Sequence, residues 1–341
     1  MAVRKVGTSR VIREIGRGGM SVVYEAYQEA LDRKVAVKVL DAGAARSEEM
    51  AERFRREGRA YAQIHHASII TIHDFVEKDD ALYLVTEFVD GENLFRLLLG
   101  GRLPPDCVAA VGAAVADALE CIHAHSLLHR DLKPGNVMIS RQGEVKVMDF
   151  GIVKDPMASD LTRTGTVVGT PYYIAPEVLG GDGEDERSDI WSLGVTLYEL
   201  ATGLRPFDGV DYQELFAAVR KGRLRPVRSV APEVPRRLAR AIERCLERRP
   251  DHRWETAAML ARELKIISGR LLGRVRVEKR LTNLIEERKV AASPAGTMQV
   301  GTSDLVPFTS TEAAAVRGPW RGPLLAAILA LAAVAWVWLV R

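Results

Sequence analysis

His129-Arg130-Asp131-Leu132-Lys133-Pro134-Gly135-Asn136, followed thirteen residues after its asparagine by Asp149-Phe150-Gly151, is the stretch on which the reading of this chain turns. It sets an acid, a lysine, an amide and a second acid on two neighbouring loops. An acid beside a lysine can orient a hydroxyl proton and balance charge on the group that the hydroxyl attacks. An amide and a carboxylate are hard oxygen donors of the kind that suit a hard divalent cation. Together the two motifs are the equipment for bringing a hydroxyl to a metal-bound nucleoside triphosphate.

Upstream lie the parts that such chemistry still lacks. Gly16-Arg17-Gly18-Gly19-Met20-Ser21-Val22-Val23 sits between expected strands at 11–15 and 22–26. Glycines there let backbone N–H groups approach a phosphate unhindered. Any tight hairpin uses the same residues, and no Gly-Lys-Ser/Thr follows, so this is not a Walker A loop. The alternation in residues 34–40 reads as a half-buried strand that points Lys38 inward. Glu57, on a helix expected over 47–64, is the nearest acid that could orient Lys38. Strands at 69–75 and 82–88 complete a small, mostly antiparallel sheet. After Gly91 the pattern turns helical, at 107–125, 190–202, 212–220, 235–248 and 254–267, with a hinge at 87–91.

Composition narrows the class. The chain has 341 residues, 47% of them hydrophobic, and its 48 Lys+Arg against 45 Asp+Glu give a net charge of +3, which is no nucleic-acid footprint. Cys107, Cys121 and Cys245 are far apart and read as reduced thiols. His65, His66 and His73 read as core or surface residues, not metal ligands.

These motifs, in this order and at roughly this spacing, resemble those of the eukaryotic-type (Hanks-type) serine/threonine protein kinases found as membrane-anchored enzymes in bacteria. The resemblance covers about residues 10–268. It implies an α+β, two-lobe protein-kinase fold, with a β-rich N-lobe over about 10–88 and a helical C-lobe over about 89–268. It implies ATP as phosphoryl donor with Mg2+, or Mn2+ in its place, and protein substrates. By the resemblance, Asp131 orients the substrate hydroxyl, Lys133 neutralises the γ-phosphoryl group, and Lys38 holds the α- and β-phosphates in a pair with Glu57. Asn136 and Asp149 hold the metal. Ile15, Gly16, Gly18, Gly19, Met20, Ser21 and Val23 cover the nucleotide from above, with Ser21 at the loop's third glycine position. Glu87 follows the gatekeeper position, which Thr86 occupies. His129, Phe150 and Tyr61 stack as structure. Thr170 contacts Asp131 and Lys133, and with Lys133 it marks serine/threonine preference. Glu177 pairs with Arg253, and Asp189 supports the catalytic-loop backbone. Arg130 is placed to receive a phosphate on the activation segment, for which Thr162 and Thr164 are the expected autophosphorylation sites. The alternatives are a pseudokinase scaffold, which would show damage at Lys38, Asp131 or Asp149, and a small-molecule kinase, which would lack the long helical ending.

The C-terminus differs from the rest. Residues 269–322 carry nine Lys/Arg and five Asp/Glu. Within them 270–290 could form an amphipathic helix with Val277, Leu281, Leu284 and Ile285 on one side, or a solvated extension. The remainder reads as a flexible tether. Residues 324–340 contain no charge, amide or hydroxyl. As a helix from Pro323 they would rise about 27 Å, close to the roughly 30 Å hydrocarbon core. Trp320, Trp336 and Trp338 suit the two interfaces, and Arg317 and Arg321 favour a cytoplasmic N-terminal bulk. The expectation is a single-pass, tail-anchored inner-membrane enzyme with residues 323–340 in the lipid and no sensor domain beyond them. Six alanines on that helix would permit homodimer packing.

Overall fold

The computed structural model of the protein describes residues 5–17, 21–40, 55–56, 58–78, 81–150 and 171–292. Six antiparallel strands form the first layer: β1 (Lys5–Val6), β2 (Ser9–Arg17), β3 (Ser21–Gln28), β4 (Arg33–Leu40), β5 (Ile72–Lys78) and β6 (Ala81–Glu87), in the order β1-β2-β3-β4-β6-β5. Side chains alternate across a strand. In β4 this sends Val35 and Val37 into a small core with Val6, Ala26, Tyr83 and Val85, and leaves Ala36 and Lys38 on the opposite face. The pairing of β2 with β3 shifts register between Glu14 and Gly16, so the strand is bulged near its C-terminal end. Residues 58–62 are helical and supply Tyr61.

The second lobe is built on helices α1 (Leu94–Leu99), α2 (Pro105–Ala124), α3 (Pro176–Gly180), α4 (Glu186–Thr202), α5 (Tyr212–Lys221), α6 (Val227–Val230), α7 (Arg236–Cys245), α8 (Ala257–Leu272) and α9 (Val277–Ala292). The alanine-rich α2 is its axle. At Gly112 a side chain would meet Leu197 of α4 at 2.8 Å and Leu264 of α8 at 3.0 Å, so the missing Cβ lets three helices close on one another. Helix α2 is the one described helix long and apolar enough to cross a membrane, and it is mostly buried within the fold. Helix α4 starts four residues earlier than apolar periodicity predicts. Asp185 and Ser188 form a reciprocal capping box that fixes the start in polar sequence, and Gly203 at φ 74° ends the helix.

A three-stranded sheet, β7 (Gly91–Asn93), β8 (Val137–Ser140) and β9 (Val145–Val147), lies within the helical lobe. Strands this short carry too few residues to show a period, so the sequence reading left them out. A Cβ on Gly91 would stand 2.1 Å from the Ile139 carbonyl oxygen, so β7 and β8 can approach only with glycine there. This sheet carries the 129–136 loop on one side and residues 148–150 on the other.

Packing continues past Ser268. Helix α9 buries Leu281, Leu284 and Ile285 in the main core, while Val277 stays at the edge. Arg280 pairs with Asp106 at 2.7 Å, and Arg288 donates to the Arg102 carbonyl at 2.8 Å. The expected amphipathic helix over 270–290 is observed only in part: residues 270–272 end α8 at Gly273, and the packed helix is α9 at Val277–Ala292. The expected span at 323–340 and its tether lie outside the described residues.

Candidate active site

The loop at 129–136 is held from beneath by one carboxylate. Asp189, near the start of α4, is 2% exposed. Its Oδ2 accepts from the His129 backbone N–H at 2.8 Å and from His123 Nε2 at 2.9 Å, and its Oδ1 accepts from the Arg130 N–H at 2.9 Å. Burial alone would raise this carboxyl, but the hydrogen bond and charge of His123, with His129 and the Arg130 N–H, hold it below the usual carboxylate range. Arg130 is thereby fixed at φ 64°, a left-handed conformation that a non-glycine residue adopts only when its surroundings impose it.

His129 is fully buried. Its Nε2 faces the Met148 carbonyl at 3.0 Å and must donate, so its Nδ1 accepts from the Asp131 N–H at 3.3 Å. This is the neutral tautomer, and burial lowers the imidazole's proton affinity against the pull of Asp189 and Asp131. Phe150 stacks on Tyr61 with centroids 3.9 Å apart and tilts against His129 at 5.5 Å. The Tyr61 hydroxyl donates to the Leu128 carbonyl at 2.6 Å, which ties the stack to the chain entering the loop.

On this base the polar groups converge. Asn136 Nδ2 donates to the Asp131 carbonyl at 2.8 Å and to Asp131 Oδ2 at 2.9 Å, and Lys133 Nζ lies 3.5 Å from the same Oδ2. The Met148 N–H donates to the Asn136 carbonyl at 2.8 Å, joining the two loops. Asp149 is also left-handed, at φ 51°. Its Oδ1 takes Lys38 Nζ at 2.8 Å, across from β4. Lys38, Asp131, Lys133, Asn136 and Asp149 therefore form one cluster made by both lobes.

The other expected residues fall in four sets. Ile15, Gly16, Ser21 and Val23 lie on β2 and β3 above Lys38, whose register partner is Val23. The Glu87 carboxylate takes the Thr71 N–H at 2.8 Å and Lys146 Nζ at 3.0 Å, so any contact with a nucleotide there is left to the main chain. Arg253 is buried and makes two 2.7 Å bonds to the two oxygens of Glu177, with further donations to the carbonyls of Arg187 and Glu247. Gly18, Gly19, Met20, Glu57, Thr162, Thr164 and Thr170 lie outside the described residues. Cys107 and Cys245 are buried free thiols, each pushed up to about 12 chiefly by burial, and neither is a nucleophile.

Sequence reasoning missed three partners. His123 joins Asp189, Lys146 joins Glu87, and Glu184 pairs with Arg130 at 3.0 Å. His123 is the penultimate residue of α2, where a histidine carries no spacing signal. Glu184 is one acid among several in the turn before α4, and nothing in the local sequence singles it out.

Residues 9–264 match the family described as protein kinase domain. The chain is 35% identical over 254 residues to the probable serine/threonine-protein kinase CPE1738 of Clostridium perfringens, covering 74% of this chain and 37% of that protein. It is 34% identical over 260 residues to the serine/threonine-protein kinase PrkC of Bacillus subtilis, covering 76% and 40%. Thus the chain spans less than half the length of these relatives. Among solved structures it resembles the kinase domain of Mycobacterium tuberculosis PknI, with 27% identity, a TM-score of 0.63, and coverage of 78% of this chain and 99% of that one.

Proposed function

This chain belongs to the protein kinase domain family, and we propose on that basis that it is an ATP-dependent serine/threonine kinase acting on proteins. One observation carries the reading: Asp131, Lys133 and Asn136 meet on one loop, and Lys38 reaches Asp149 from the opposite lobe. A hydroxyl brought to Asp131 would give its proton to that carboxylate as its oxygen bonds to the γ-phosphorus. The bond to the β–γ bridging oxygen breaks and ADP leaves. Lys133, beside Asp131, offsets charge on the group in transit. Lys38 would exchange its carboxylate partner for phosphate oxygens, the other strong acceptor for an ammonium. Catalysis on this plan is alignment and charge stabilisation.

The donor set suits magnesium. Asn136 uses its N–H2 on Asp131, which leaves its amide oxygen as a donor, and the Asp149 carboxylate is part-exposed. Mg2+ commonly takes one or two protein oxygens and completes its shell with phosphates and water. Asn136 and Asp149 would hold it, and when bound it supplies charge neutralisation on the phosphates. Incubating purified chain with radiolabelled ATP and a generic protein, wild type against Asp131→Asn, tests the function. Label on protein from the wild type alone supports it, whereas no transfer by either form, or transfer only to small molecules, refutes it.

Two finer readings belong to the same proposal. Thr162 and Thr164 are autophosphorylated, and Arg130 is their receiver. In support, Arg56 and Arg130 both line a pocket of about 410 Å3 beside Tyr61, and a phosphate there would compete with Glu184 for Arg130. Mass spectrometry of active protein with no phosphate on the 151–170 segment would reject this. Residues 323–340 anchor the chain in the inner membrane, with the kinase domain cytoplasmic, on the strength of their uncharged sequence. Full-length chain that fractionates as soluble without detergent would contradict the anchor.

A further inference from the structure

Residues 220–249 hold eleven Lys/Arg against three Asp/Glu, a net +8 in a chain whose total is +3, so the rest of the chain is net −5. Arg237 is paired with Glu263, and Arg249 with Asp251. The other nine are exposed, and none has a carboxylate within 4.0 Å among the described residues. The local acids are mostly engaged elsewhere: Glu233 pairs with Arg102, and Glu243 accepts from the Val227 N–H.

These cations gather in space. The Arg248 side chain lies against Gly222, where a Cβ would meet it at 3.0 Å, and Lys221 and Arg223 flank that glycine. Arg220 reaches the Leu179 carbonyl of α3 at 3.0 Å. Arg236, Arg240 and Arg244 stand at i, i+4 and i+8 on α7, a stripe about 12 Å long whose far end leads to Arg248. Helix dipoles account for cations in the last turns of α5 and α7. They give no reason for Arg223, Arg236 or Arg240, and like charges this close repel one another within a Debye length of about 8–10 Å.

The patch is coupled rigidly to the candidate active site. Arg253 donates to the Arg248 carbonyl and to Glu177, Ser188 donates to Glu177, and the neighbouring Asp189 holds the Arg130 backbone. A partner seated here therefore stands at a fixed offset from Asp131. Residues 220–249 contain no aromatic residue, the half-buried Trp254 beside them is covered by Arg244 at 4.4 Å and bonded to the Ala241 carbonyl, and none of the exposed large apolar side chains lies among them. Eight of the nine cations are arginines, whose planar fork matches carboxylates in a bidentate way.

We propose that this face docks an acidic segment of the proteins that the chain phosphorylates, remote from the residue modified. The proposal rests on the protein-kinase reading and names its substrate class. It is tested by fluorescence anisotropy of a labelled peptide of alternating Asp and Glu, using the full chain. The wild type is compared with a variant combining Arg220→Glu, Lys221→Glu, Arg223→Glu and Arg248→Glu, and with a milder Arg236→Glu/Arg240→Glu variant on the exposed stripe. Wild-type binding should weaken steeply between about 50 and 300 mM salt. Both variants should bind at least about tenfold more weakly, as expected for lost charge complementarity. Phosphorylation of a short peptide should be unchanged, while a protein substrate should lose its KM advantage from an appended acidic segment at constant kcat. Equal peptide binding by all forms overturns the proposal. So does a loss confined to phosphatidylserine vesicles or to duplex DNA, tested in parallel. The anisotropy requires no phosphoryl transfer, so binding by an inactive chain would refute the kinase reading and leave the docking face standing.

Discussion

The underside of the 129–136 loop and the mouth above it are built from the same residue types, and they differ in what surrounds each carboxylate. Beneath, Asp189 is 2% exposed with three N–H donors, and Glu177 is gripped by a buried arginine. Above, Asp149 is 37% exposed and holds Lys38, and Asp131 is 19% exposed, with Asn136 bonded to it and Lys133 at the edge of contact among its partners. A carboxylate with every lone pair answered inside the protein is structure, because releasing it would strand a buried charge. A part-open carboxylate with one exchangeable cation can change partners at little cost. In the proposed kinase the contrast divides the work: the underside would fix geometry, and the mouth would meet substrate.

The sharpest way to break this contrast is Asp131→Asn. The change removes the proton acceptor and keeps the shape. Phosphoryl transfer should fall by about 10^2 to 10^4, the usual contribution of a positioned acid–base group. Stability should move by less than about 0.5 kcal/mol, as for changes outside tight packing. Parallel kinase assays and thermal melts check it, and a large drop in Tm with modest loss of activity would place Asp131 with the underside instead.

Arg253→Ala comes next. It leaves Glu177 buried without its cation and abandons four backbone or carboxylate acceptors, so unfolding free energy should fall by about 3–5 kcal/mol. Arg253→Lys should rescue little, because an ammonium cannot make the two-pronged contact. Urea titration measures both variants. An Arg253→Ala protein of wild-type stability that had simply lost activity would erase the distinction between the two regions.

How much of this could be read in the chain follows the same division. The mouth is legible, since Asp131, Lys133, Asn136 and Asp149 sit within 19 consecutive positions and chemistry restricts each to one residue type. Lys38 is legible because the strand alternation that buries Val35 and Val37 must send it the other way. The underside is only partly legible. Glu177 and Arg253 are 76 positions apart and came from the family resemblance, not from any local pattern. His123 and Glu184 could not be found at all, because their roles depend on how α2 meets the start of α4 and how the turn before α4 meets the 129–136 loop. The left-handed Arg130 and Asp149 were equally hidden: each conformation is imposed by contacts from other segments. The three-stranded sheet escaped because its strands are too short to carry a period. Helix α9 was ambiguous until packing showed which side of it was covered.

The smallest effect tests the join between the two regions, at His129. Its neutral state answers Met148 on one side and Asp131 on the other, and burial holds its folded proton affinity below the ordinary value of 6.5. The sign follows from linkage. Below pH 6.5 the unfolded chain binds a proton that the folded chain refuses, so stability should fall with acidification by at most about 1.4 kcal/mol per pH unit. Asp189 acts lower down: its depressed carboxyl contributes stability that is present above the unfolded value of about 3.9 and lost as pH falls through the folded one. Between roughly pH 4.5 and 6.5, then, the imidazole dominates this pair. Thermal melts from pH 7.5 to 5.0 should show Tm declining below 6.5 in the wild type. His129→Gln, which keeps an N–H for the Met148 carbonyl and cannot titrate, should decline less steeply. A residual slope is expected from His73, held low by burial and by Arg33. Identical slopes in the two proteins would mean that His129 is not the neutral pin between the loops, and the Asp131 N–H would then rest on the His129 carbonyl alone, 2.8 Å away.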